Sequence, residues 1–276
     1  MNKIFDTHAH YDDPVYDVDR KELFERMFRE GVDNIALIGA SYDESKSELE
    51  LAREYNKKER VPKFYYTIGD HPDEILKNEP DSSEGSEHLD KLFKLYSENP
   101  NDAVAIGEIG LDYHGDFKTE EDYVNQKKWF IAEINLAKKL NLPIVVHSRD
   151  ACKDTFDIIK ENAKGMKGII HCFSYEKEIA MEYVKLGFHI GIGGIITFKN
   201  ARKTKEVVDT IPLEYIVTET DAPWLAPVPY RGKRNESTYI KYVIEEIANI
   251  KNVDIEDLSK LLYNNALNVY NIESNN

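Results

Sequence analysis

The chain is predicted to fold as one α/β domain, residues 1–276, in which eight parallel strands alternate with helices and close into a (β/α)8 barrel. Three observations predict it. Eight apolar, β-branched runs bounded by turn residues recur along the chain, amphipathic stretches lie between them, and residues of metal-ligand type stand at the C-terminal ends of the runs. A length of 276 residues exceeds the usual domain mode yet is what one such barrel occupies.

The runs are KIFDTH (3–8), NIALIG (34–39), KFYYTIG (63–69), AVAIGEIG (103–110), PIVVHS (143–148), GIIHCFS (168–174), FHIGIGG (188–194) and YIVTET (215–220). Their near-continuous apolar character suits parallel strands covered on both faces. Between them, Asp17 to Glu30, Asp43 to Lys58, Glu120 to Leu140, Tyr175 to Leu186 and Lys199 to Asp209 carry Lys, Glu and Leu at helical spacing. A long helical region, 236–270, would close the barrel from outside. The segment LKNEPDSSEGSEHLD (76–90) reads as a surface insertion, and the tail ESNN as frayed. An open doubly wound sheet would show a glycine-rich fingerprint after its first strand. Here that position reads DTHAHYDD, which offers carboxylates and imidazoles instead.

Composition narrows the classes. With 41% hydrophobic and 32% charged residues, the chain has the material for a sizeable core, which excludes disorder as its main state. The N-terminus lacks a basic start followed by an apolar stretch, and no segment approaches 18 uninterrupted apolar residues, so neither a secretory signal nor a membrane span is expected. Cys152 and Cys172 are too few for a disulfide framework or a four-thiolate zinc site, and a cytoplasmic location with reduced thiols is expected. A formal charge of −15 opposes nonspecific attraction to nucleic acid or anionic membranes. An anionic substrate therefore needs a local reversal of field, from a bound metal pair or a small basic patch.

The chemistry gathers at strand ends. His8 and His10 stand two apart at the end of the first run, so strand periodicity sends both side chains to one face, where they can grip one metal. Glu108 interrupts an apolar fourth run, where a buried carboxylate calls for a cation or hydrogen bonds. His147 ends the fifth run, His171 sits late in the sixth, and Asp221 closes the eighth. In such barrels the site is assembled on that face, so these six residues converge in space. Four imidazoles and two carboxylates match a binuclear centre with a bridging carboxylate. Period 2 points Cys172 away from His171, into the core.

The strings DTHAHYDD, GEIGLDYH, VVHSRDA, HCFS, GGIITFKNA, TETDAPWLAPVPYRGKRNE and, more loosely, GDHPDE resemble the TatD family of metal-dependent DNases, a branch of the amidohydrolase-like TIM barrels, from Phe5 to about Asn268. The resemblance implies that His8, His10 and Asp221 hold one metal, His147 and His171 the second, and that Glu108 bridges them. Asp221 would also act as general base. The carboxylates favour two Mg²⁺ or Mn²⁺ ions and the imidazoles favour Zn²⁺. His71 resembles the family's histidine beside the site, a candidate for holding the scissile phosphate or the leaving group; Asp73 stands where members often carry a second histidine. Asp112 of the GLD string, and Asp6, are candidates for orienting ligands.

Arg149 and the cluster Arg231, Lys233 and Arg234 could pair with phosphates, with an ion pair from Arg149 to Asp150 or Glu219 as the structural alternative. Trp224 could stack a base or pack the loop after the eighth run, and the latter is favoured. The function expected from the resemblance is deoxyribonuclease, an exonuclease acting on single-stranded DNA as its partner, with no membrane and no obligate protein partner. The alternative keeps the centre and changes the bond: an aminoacyl ester, as in a D-aminoacyl-tRNA deacylase, a lactone or an amide. A non-catalytic barrel is disfavoured because every ligand type is present.

Overall fold

A computed structural model describes residues 3–78, 87–100, 102–115 and 119–273. Eight parallel strands form one sheet in sequence order: β1 (Ile4–Ala9), β2 (Val32–Leu37), β3 (Lys63–Ile68), β4 (Ala103–Asp112), β5 (Ile144–Arg149), β6 (Gly168–Ile170), β7 (His189–Ile192) and β8 (Ile216–Thr218). The ring closes where the Asp221 N–H donates to the His8 carbonyl at 2.9 Å, the His10 N–H to the Ala222 carbonyl at 2.8 Å, and the Thr7 hydroxyl to the Thr218 carbonyl at 3.1 Å. The fold is a (β/α)8 TIM barrel, as the alternating pattern predicts.

Helices α1 (Arg20–Arg29), α2 (Tyr42–Tyr55), α3 (Pro72–Asn78), α4 (Glu87–Glu98), α5 (Glu120–Leu140), α6 (Cys152–Asn162), α7 (Lys177–Lys185), α8 (Arg202–Thr210), α9 (Ile240–Lys251) and α10 (Ile255–Val269) connect and cover the strands. Local chemistry sets several starts. Ser41 caps α2 by accepting the Glu44 N–H, and Thr119 and Asp122 cap α5 reciprocally. Between sheet and helices, Phe24 of α1, Tyr55 of α2 and Phe64 of β3 are buried in mutual contact, with Phe24 4.6 to 4.7 Å from the other two ring centroids.

Three features differ from the sequence reading. Helices α3, α4 and α6 were not expected: α3 begins inside and α6 directly after a site motif whose polar residues hide the periodicity, and α4 begins within the segment read as an insertion. The expected insertion 76–90 contains the last turn of α3 and the first residues of α4, while 79–86 lie outside the described residues, as do 274–276 of the tail. The long helical region 236–270 is two helices, because Asn252 takes a left-handed conformation (φ 52°) that ends α9, and Asp254 then caps α10. Among the described residues no helix is long and apolar enough to cross a membrane.

Candidate metal centre

The six ligand-type residues meet at the C-terminal mouth of the barrel. His8 lies within β1 and His10 one residue past it, and their Nε2 atoms face each other at 3.2 Å. His8 Nε2 also lies 3.4 Å from Glu108 Oε2 and 3.8 Å from Asp221 Oδ1, and the His8 ring stacks on His171 with centroids 3.6 Å apart. Glu108 reaches this point because the β4 register slips between Ile106 and Ile109, an irregularity that re-aims a side chain toward the barrel axis. On its other side Glu108 Oε1 is 2.9 Å from His147 Nδ1 and 3.5 Å from His171 Nε2. Asp221 follows β8 in a left-handed conformation, φ 57°.

Carboxylates behind the imidazoles set which nitrogen faces inward. His147 Nε2 is 3.1 Å from Asp112 Oδ2, which accepts its N–H and leaves Nδ1 turned toward the centre. Asp112 is itself braced by Gln126 of α5, whose amide accepts the Asp112 N–H and donates to its carbonyl, both at 2.9 Å. His171 Nδ1 is 3.4 Å from Glu219 Oε1, which accepts the Cys172 N–H at 2.7 Å. Gly191 of β7 makes room for this carboxylate, since a Cβ there would sit 2.3 Å from Glu219 Oε2. Asp6, fully buried, accepts from the His8 and Thr220 backbone N–H groups and the Thr220 and Ser237 hydroxyls, which fixes β1 against the segment carrying Asp221.

Charge is redistributed accordingly. Burial works against an imidazolium at His171, but Glu219 and Glu108 outweigh it and push its pKa up to about 10. Burial would raise Glu108, yet His171 and His8 hold it well below the usual carboxylate range. Burial, then His171, push His8 down to about 3, and burial pushes Asp221 up to about 7. Among the described residues, four groups have potential ligand atoms all within 4.8 Å of one another: His8 with His10 and Glu108, His8 with His171 and Asp221, Glu108 with His147 and His171, and His71 with Asp112 and His147. Imidazole lone pairs and carboxylate oxygens pointed at common positions are a donor set that divalent cations fit.

The other sequence-selected residues divide. His71 lines the same cavity of about 320 Å³, its ring centroid 4.3 Å from that of His147. Its Nδ1 accepts the Asp73 N–H at 3.2 Å, which places the ring proton on Nε2. Arg149 stands exposed at the end of β5, and the ion pair considered for it is not formed, because Asp150 pairs with His114 and Glu219 with His171. Arg234 is structural, forked onto Asp19. Arg231 is exposed, its guanidinium 4.4 Å over the Phe198 ring. Trp224 does not pack the loop as favoured: it is 52% exposed, edge-on to His10 and lining the cavity. Cys172 is half-buried, not core, since β6 ends at Ile170 and strand periodicity no longer applies to it. Glu219 was missed as an orienting group; its one signal was a carboxylate two residues before Asp221 in an otherwise apolar and hydroxylic run.

Comparison with known proteins decides the lineage. The sequence profile described as TatD related DNase matches residues 5–271. The chain belongs to the TatD family. It is 41% identical to the uncharacterized metal-dependent hydrolase YabD of Bacillus subtilis over 98% of this chain and 99% of that one. It is 35% identical to the uncharacterized metal-dependent hydrolase MJ1582 of Methanocaldococcus jannaschii, over 96% and 95% respectively. Among solved structures, the TatD homolog YjjV from Escherichia coli superposes with a TM-score of 0.87 at 27% identity, covering 99% of each chain. This TatD-family protein is thus a metal-dependent hydrolase with an amidohydrolase-like barrel, and its candidate ligands are those at the mouth.

Proposed function

We propose that this TatD-family hydrolase is a cytoplasmic deoxyribonuclease that cleaves phosphodiesters from the ends of single-stranded DNA. The observation that carries the reading is the convergence of four imidazoles and two carboxylates at the base of a cavity of about 320 Å³. His8, His10 and Asp221 would hold one divalent ion, His147 and His171 a second, with Glu108 between them. Bound there, the ions would supply Lewis acidity toward a phosphoryl oxygen, lower the pKa of a water, and offset the −15 charge of the chain.

The chain's own groups supply the rest. Asp221 is half-buried, its Oδ1 3.8 Å from both His8 and His10 Nε2, so its carboxylate is placed to take the proton that the attacking water loses as its oxygen bonds to phosphorus. Burial, then His147, push His71 down to about 4, so it stays neutral and presents its Nε2–H to a phosphate oxygen. Asp112 and Glu219 hold His147 and His171 in one tautomer and orientation. The cavity wall formed by Glu44, Asp73 and Glu74 is acidic, which disfavours a polyanion running on past His71 and suits recognition of a strand end.

The same acidic wall supports a second reading, hydrolysis of an aminoacyl ester as in a D-aminoacyl-tRNA deacylase, because those carboxylates would suit the substrate's α-ammonium. The deciding experiment treats a 5′-labelled single-stranded oligonucleotide with chelator-stripped protein, with Mg²⁺, Mn²⁺ or Zn²⁺ restored, beside Glu108→Gln. A ladder of shortened products that requires metal and is lost in the variant is expected. Metal uptake without cleavage under any ion would replace the reading with the ester one, tested next on D-aminoacyl-tRNA.

A further inference from the structure

The mouth of the cavity is unequal. Toward β2 and β3 it carries Glu44, Asp73 and Glu74. Toward β7 and β8 it carries Trp224, 52% exposed at the cavity edge, followed by exposed Leu225 and Val228. The Val228 N–H donates to the Thr197 hydroxyl at 2.9 Å, so the loop after β8 is fastened to the turn after β7. On that turn Phe198 supports the Arg231 guanidinium at 4.4 Å. Lys199, Arg231 and Lys233 make no ion pair among the described residues, in a protein whose net charge is −15.

An exposed indole lining the catalytic cavity, followed in the same loop by a guanidinium over an aromatic ring and with unpaired Lys199 and Lys233 on the two fastened segments, matches what single-stranded polynucleotides require. Bases offer π faces whatever their identity, and phosphates offer charge at regular spacing. A folded protein partner would need a larger apolar area than this ridge, and a small anion would not need the indole. We infer that Trp224 is a base-stacking platform and that Arg231, held over Phe198, takes a phosphate of the same strand, so the polynucleotide leaves the metal centre over the β7–β8 rim. This deepens the nuclease reading and rests on it for the substrate class, although an aminoacyl-tRNA would use the same rim.

The test uses metal-loaded protein and two ten-nucleotide probes, oligo(dT) and an abasic strand of equal length. Trp129 is fully buried, so a change in indole fluorescence on adding a strand reports Trp224. Oligo(dT) should quench and the abasic strand should not, and the quench should vanish in Trp224→Ala. The ratio of kcat/KM for oligo(dT) to that for bis(p-nitrophenyl) phosphate should fall about tenfold in Trp224→Ala and recover in Trp224→Phe. Arg231→Ala should flatten the dependence of log affinity on log salt by about 0.7, the value for one single-strand phosphate. Equal quenching by both strands, or an unmoved ratio while oligo(dT) is cut normally, overturns the platform and leaves the nuclease reading standing. Base-dependent quenching without cleavage overturns the nuclease reading alone, and neither quenching nor cleavage overturns both.

Discussion

At the scale of single residues, the site is governed by who stands behind each imidazole. Asp112 behind His147 and Glu219 behind His171 settle which ring nitrogen faces the centre, and Asp6 holds the backbone of His8 and Thr220 in place. A proton on His171 stays put through neutral pH, since Glu219 and Glu108 outweigh burial and raise its pKa to about 10. A cation binding there must displace it. The sign follows: a ligand whose pKa is raised holds its proton at every pH below that value, so raising pH favours metal and lowering pH favours the proton. Chelator-stripped protein should therefore bind Mn²⁺ more tightly as pH rises from 6 to 8, by about tenfold per unit for each proton displaced. Calorimetric titration in buffers of different ionisation enthalpy should show that release; buffer-independent heats would mean that His171 is not a ligand.

At the scale of elements, the strands were legible because parallel barrel strands are apolar on both faces, and the longer helices because their polar faces repeat. Helix α6 was not, since it starts directly after the His147 motif, and α3 starts inside the His71 motif, where sequence signals serve the site and the helix at once. The division of 236–270 into α9 and α10 rests on Asn252 and Asp254, a stop and a start that a reading tuned to apolar spacing passes over. Asp254 accepts the Glu256 and Asp257 N–H groups, so Asp254→Ala should lower stability by about 1 kcal/mol in urea unfolding, and Asp254→Ser should restore most of it. Because α10 ends at Val269 and the next residue, Tyr270, donates its hydroxyl to the Thr7 carbonyl at 2.7 Å, fraying this helix loosens β1 from below.

At the scale of the whole molecule, the candidate ligands come from β1, β4 and β5 and from the segments after β1, β6 and β8, so an ion pair at the mouth would tie distant parts of the ring together. Ions that bind only the folded chain add stability by mass action, about 2.7 kcal/mol for one site at a hundredfold excess over its Kd. Removing metal with a chelator should lower the melting temperature by several degrees, and restoring Mn²⁺ or Zn²⁺ should recover it. A melting temperature indifferent to metal would show that ions do not bridge the strands.

Strand alternation, side-chain period and ordered motifs are local properties of a chain, so the barrel class, the six candidate ligands and the family could be read before folding was considered. His8 and His10 could be paired on paper because two residues apart on a strand is a geometric statement. The support around them becomes visible once the chain is folded. That Glu219 serves His171 and not Arg149, that Gly191 leaves space for it, and that Trp224 stands in solvent while acidic groups face it across the mouth depend on contacts between segments far apart in the chain. Such contacts are fixed by packing, which no short-range pattern encodes.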